Sequence, residues 1–69
     1  MTKILVRANQ NIWGNWIVYV GGKRFKELGE SRFDTLMALS ELLYDDKYKL
    51  AMATDISHND IKAFRESLN

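Results

Sequence analysis

The residues able to do chemistry are few. The one histidine, His58, stands two positions before Asp60. Residues two apart at a helix start diverge, so the pair does not converge on a metal ion. A catalytic imidazole also needs a nucleophile and an orienting group in reach, and the sequence proposes neither. Asp45 and Asp46 are adjacent, so their carboxylates also point apart, with no third ligand spaced to join them. They read instead as a helix stop, where exposed carbonyls disfavour anions by a few tenths of a kcal/mol. The chain has no cysteine, which removes disulfides, thiolate metal sites and thiol nucleophiles. These features predict a protein that is not an enzyme and uses no cofactor or metal.

What remains is charge. The 69 residues carry a formal net charge of +1, which by itself points to no charged partner. Its distribution is uneven. Residues 1–26 hold Lys3, Arg7, Lys23, Arg24 and Lys26 and no acid, whereas residues 27–69 hold five bases against nine acids. Such asymmetry between halves is a compositional sign of a charged partner. The reading is one domain over 1–69, with a basic β-meander over 1–29 and an acidic, helix-rich part over 30–69. A chain this short buries only roughly 60% of its unfolded surface and has no room for a second domain. No apolar run approaches the ~20 residues of a membrane span, and residues 1–8 lack a signal-peptide pattern. The expected compartment is the cytoplasm.

The elements that must position these charges are legible in outline. Lys3–Ala8 and Trp16–Val20 are rich in branched and aromatic residues and read as strands. Gly21-Gly22 suits a tight hairpin turn whose central residues need positive φ, and Lys23–Leu28 resumes as a third strand. Ser31 and Asp34 have the spacing of a helix cap, and the apolar positions Phe33, Leu36, Met37, Leu39, Leu42 and Leu43 predict a helix to about Tyr44. Residues 48–53 mix strand alternation with good helix formers, and the alternation favours a strand. Ser57 and Asp60 repeat the cap spacing, flanked by Ile56 and Ile61 where a hydrophobic staple sits. A short last helix follows on Ile61, Phe64 and Leu68. The predicted fold class is α+β: a small antiparallel three-stranded sheet packed on one helix, with a further strand and a short C-terminal helix.

A two-residue Gly21-Gly22 loop sets a register. Val20 faces Lys23, Tyr19 faces Arg24, Val18 faces Phe25, Ile17 faces Lys26 and Trp16 faces Glu27. Opposed residues share a face. One face then carries Trp16, Val18, Val20 and Phe25 and seats the helix. The other carries Ile17, Tyr19, Arg24 and Lys26. Placing Ile4, Val6 and Ala8 of the first strand in the core adds Lys3, Leu5 and Arg7 to the second face. Four of the five bases of residues 1–26 would thus share one open sheet face.

The run Trp16-Ile-Val-Tyr-Val-Gly-Gly-Lys23-Arg24-Phe25-Lys-Glu-Leu28-Gly29, followed by Phe33-Asp34-Thr35, resembles the Apetala/ethylene-response-factor DNA-binding domains and the related amino-terminal domains of phage-type integrases. The resemblance covers about residues 4–44. It implies a three-stranded antiparallel sheet on one helix, with the sheet reading the DNA major groove. By position it implies Arg7, Trp13, Trp16, Tyr19, Arg24 and Lys26 as DNA contacts. In this chain Glu30-Ser31-Arg32 lengthens the link before Phe33, residues 45–69 extend past the family core, and the register turns Trp16 inward.

Three functional expectations follow. The first is a small non-enzymatic DNA-binding regulatory module. Lys3, Arg7, Arg24 and Lys26 would meet phosphates or base edges, with Tyr19 and Trp13 available for stacking. The alternative is a small phage- or mobile-element-type modulator that binds a larger, acidic-surfaced protein. It would use Leu5, Ile17, Tyr19 and Trp13 as an apolar patch with a basic rim. The third is a homodimer through a sheet edge or the last helix. Solubilising charge on the wet face of an antiparallel sheet would look the same.

Overall fold

The computed structural model describes residues 2–68 as an α+β unit. Its elements are β1 (Ile4–Gln10), β2 (Trp16–Val20), β3 (Lys23–Gly29), α1 (Arg32–Leu42), β4 (Tyr48–Leu50) and α2 (His58–Ser67). The sheet is mixed and four-stranded, in the order β3-β2-β1-β4. β2 runs antiparallel to both of its neighbours, while β4 pairs parallel to β1. α1 therefore carries the chain from one edge of the sheet to the other, and it touches β3, β2 and β1 on the way.

Local chemistry explains most of these boundaries. Gly21 and Gly22 adopt φ of 61° and 83°, the left-handed region that a two-residue hairpin loop requires and glycine tolerates. Ser31 caps α1 by accepting from the Asp34 amide at 3.1 Å. Ser57 and Asp60 form a reciprocal capping box at α2, with Ile56 and Ile61 both buried beneath it. Past α1, Asp45 Oδ1 accepts from the Lys47 amide at 3.0 Å, so this aspartate closes the turn into β4.

Both helices lie on one side of the sheet. Val6 and Ala8 of β1, Trp16 and Val18 of β2 and Leu50 of β4 pack in one cluster with Leu36 and Leu39 of α1, Ile61 and Phe64 of α2, and Ile56. The helices are joined by a Phe33–Phe64 edge-to-face pair with centroids 5.2 Å apart and an Arg32–Asp60 ion pair at 3.6 Å. Arg65 completes the junction. It donates to Ser40 Oγ at 2.9 Å and to the Ser40 carbonyl at 2.7 Å, satisfying one of the carbonyls that a helix end leaves unpaired.

The strand expected over 48–53 ends at Leu50. Beyond it the chain leaves the sheet and returns through side chains. The Ala8 amide donates to Thr54 Oγ1 at 3.1 Å, the Gln10 amide donates to Asp55 Oδ2 at 2.9 Å, and the Asp55 amide donates to the Ala8 carbonyl at 2.9 Å. Thr54 and Asp55 thus seal the part of the β1 edge that β4 is too short to cover.

The β2–β3 register departs from the expected one. Val20–Lys23 and Tyr19–Arg24 pair as expected, but Val18 faces Lys26, Ile17 faces Glu27 and Trp16 faces Gly29. Two bulges, at Phe25 and Leu28, account for the shifts. Regular alternation would place Leu28 with Arg24 on the open face and Glu27 towards the helix. The bulge at Phe25 reverses that parity. Leu28 then packs against the core, and Glu27 moves to the open side. Phe25, expected in the core, is instead 57% exposed.

Candidate nucleic-acid interface

With α1 and α2 on one side, the opposite sheet face is unpacked. Strand alternation decides what it presents. From β1 come Leu5, Arg7 and Asn9, the residues that alternate with the buried Val6 and Ala8. From β2 come Ile17 and Tyr19, and from β3 their cross-strand partners Glu27 and Arg24. β4 contributes Lys49, opposite Leu5. Lys3 reaches the same corner, where it lines a hollow with Thr2, Leu5 and Lys49.

Arg7 and Tyr19 are cross-strand partners. The Arg7 guanidinium lies 3.9 Å from the Tyr19 ring centroid and donates to Asn9 Oδ1. The aromatic plane and the amide together fix the guanidinium, leaving further N–H donors for a ligand. The stacking role expected of Tyr19 changes accordingly: one ring face already holds Arg7, and the ring acts as its platform. Arg24 pairs with Glu27 at 3.5 Å, with both side chains well exposed. An exposed pair of this kind is weak and easily exchanged for a stronger anion. Ile17 is 5% exposed despite lying on this face. It sits between its partners Asn9 and Glu27, so the expected apolar patch loses Ile17 and keeps Leu5 and the half-buried Tyr19 on this face.

The face thus brings together Lys3, Arg7, Tyr19 and Arg24 of the expected residues. Lys26 is not among them. The Phe25 bulge pairs it with Val18 on the helix side, where it lines a shallow groove with Ala38, Glu41 and Leu42 of α1. Lys49 takes its place. The signal for Lys49 lay in the Tyr48-Lys49-Leu50 alternation, but the pairing of β4 with β1 is not written locally.

Trp16 is buried, as the inward register required, and its implied contact role is closed to it. Trp13 is 72% exposed and its neighbour Ile12 is 89% exposed. Their turn is fixed: Asn11 Oδ1 accepts from the Trp13 amide at 3.0 Å and from the Asn15 amide at 2.9 Å. Gln10 Nε2 donates to the Gly14 carbonyl at 3.0 Å.

His58 opens α2 on the surface. Asp60 is occupied by capping: the Ser57 backbone N–H donates to Asp60 Oδ2 at 3.0 Å. That bond, then the Ser57 hydroxyl and more weakly Arg32, outweigh desolvation and hold the Asp60 carboxyl below the usual carboxylate range. Among the described residues, no group of three or more His, Cys, Asp or Glu is placed to share a metal ion. No described helix is long and apolar enough to cross a membrane. No protein-family model, curated protein or solved structure matches this chain.

Proposed function

We propose that this chain is a small, non-enzymatic DNA-binding module that lays its open sheet face on the duplex. One observation carries the reading. Both helices cover the same side of the sheet, and the bare side presents Lys3, Arg7, Arg24 and Lys49 against the single acid Glu27. A cationic surface suits phosphate contact, and the fixed guanidinium of Arg7 suits bidentate recognition of a guanine edge. Three antiparallel strands followed by a helix across one side is also the arrangement of the DNA-binding domains that residues 4–44 resemble. One face of the Tyr19 ring already holds Arg7, so the ring offers an unpaired base only its other face.

Reversing charge on this face tests the proposal. Arg24→Glu, at an exposed position, and Arg7→Glu, at a half-buried one, should lose measurable binding to a mixed-sequence duplex while keeping the wild-type circular dichroism spectrum. Folded variants that bind as the wild type does would refute it.

The Ile12–Trp13 turn favours a second reading, a modulator that docks on a larger protein. An exposed aromatic and an exposed aliphatic side chain on a rigid turn are the type of anchor that protein interfaces use. A stoichiometric protein partner that survives nuclease treatment and is lost in Trp13→Ala would favour that reading over DNA.

A further inference from the structure

Lys3 and Lys49 belong to two concave surfaces. On the open face they border the hollow with Thr2 and Leu5. Around the β4 edge they also border a groove that α2 completes with His58 and Lys62. Arg65 lines that groove too, but its guanidinium is committed to Ser40 and stacks 4.5 Å from the Tyr44 ring centroid. Glu66 is the one acid on its wall. The ion pairs among the described residues are Arg24–Glu27, Arg32–Asp60 and Lys47–Asp45, so Lys3, Lys49 and Lys62 hold no carboxylate within this set. A cationic track therefore runs from the open face around the β4 edge and onto α2.

We infer that this β4–α2 edge grips the phosphodiester backbone bordering the groove that the sheet face occupies. The inference rests on the DNA-binding reading and extends it from the sheet to α2. Strand spacing supplies the geometry. Neighbouring strands lie about 4.8 Å apart, so β4 stands about 14 Å from β3 across the sheet. The major groove of B-form DNA is about 12 Å wide. With Arg24, Tyr19 and Arg7 of β3, β2 and β1 over the groove, β4 falls on its wall. Lys49 and Lys3 then meet the flanking phosphates, and Lys62 closes on them from the helix side. A backbone phosphate, unlike a base edge, carries no sequence information. The edge accordingly contributes affinity and orientation and leaves the base preference to the sheet face.

Lys62 tests this cleanly, because it is exposed on α2 and stands apart from the sheet face. Lys62→Ala should weaken duplex binding about fivefold at 0.15 M salt, which corresponds to about 0.9 counterions released per phosphate contact. It should reduce the salt slope by about 1 and leave the ranking of different duplex sequences unchanged. Lys62→Arg should restore the affinity. If Lys62→Ala binds DNA as the wild type does while Arg7→Glu does not, the edge inference fails and the sheet-face reading stands. If the wild type binds no duplex at all, both fail. Inorganic phosphate at 1–10 mM, about the range of weak anion sites, provides a further arm. Saturable shifts of the Lys49 and Lys62 amides with phosphate alone would mark a free-anion site and overturn the backbone assignment.

Discussion

Thr54→Val separates hydrogen bonding from packing at the point where the chain returns to the sheet. The substitution keeps the side-chain shape and removes the hydroxyl. In the native protein that hydroxyl accepts from the Ala8 amide at 3.1 Å. Its single proton goes to the carbonyl of Ala8 at 3.1 Å or of Ile56 at 3.2 Å. The Ala8 carbonyl keeps a partner without it, since the Asp55 amide donates there at 2.9 Å. The Ala8 amide does not, and Ala8 is fully buried. An orphaned buried donor costs about 1–3 kcal/mol, and the lost donor bond adds about 1 kcal/mol. The expected loss is therefore about 2–4 kcal/mol. A domain of this size has about 3–10 kcal/mol in total, so a large share of its stability rides on one hydroxyl. At about 4–8 °C per kcal/mol, Tm should fall by about 8–30 °C. Urea unfolding followed by circular dichroism measures the loss, with an unchanged m-value as the sign that the native fold persists. Thr54→Ser is the counterpart: it keeps the hydroxyl, loses a methyl group and should cost about 1 kcal/mol or less. If serine proves as damaging as valine, packing and not hydrogen bonding holds this segment, and the reasoning fails.

Other expectations concern the junction between the helices. Arg65→Ala removes two charge-assisted bonds to Ser40 and should destabilise by about 2 kcal/mol in urea unfolding. Arg65→Lys should recover less than half of that, because an ammonium cannot reproduce the forked contact. Asp60→Asn should alter the acid limb of stability. The folded-state carboxyl titrates below its ordinary value, so its contribution is complete above about pH 4, the unfolded value, and disappears as pH falls towards the folded value. The amide that replaces the carboxylate in this variant retains a cap acceptor but no charge, so the variant's Tm should fall less than that of the wild type between pH 5 and about pH 2. Parallel acid limbs would contradict the assignment.

Much of the local structure was legible in the residues. Alternation in β1 and β2 placed Val6, Ala8, Trp16 and Val18 inward, and all four are buried. The Gly21-Gly22 turn, the Ser31 and Ser57 caps and the Ile56–Ile61 staple rest on chemistry within a few residues of themselves, which is why they could be read. The candidate face was legible only in part. Lys3, Arg7, Tyr19 and Arg24 followed from alternation. Lys26 did not, because the bulge at Phe25 answers to a distant need, the packing of Leu28 against the core. Lys49 was missed for the same class of reason. β4 reaches β1 only after α1 has crossed the sheet, and a parallel pairing over that separation leaves no local mark. Ile17 was misjudged because its cover comes from neighbours on two other strands.

The central claim is that the bare sheet face binds DNA through its cations. The most direct measurement is a fluorescence-anisotropy titration of a labelled mixed-sequence duplex with the wild-type protein across a series of salt concentrations. Lys3 and Lys49 on the flanking phosphates, at about 0.9 counterions each, give a slope of log K against log salt of about −1.8, which Arg7 and Arg24 steepen towards about −3.6 where they meet phosphates as well as base edges. With Lys62 also in contact each value steepens by about 0.9. Absence of binding at low salt, or a slope shallower than about −1, would contradict the account.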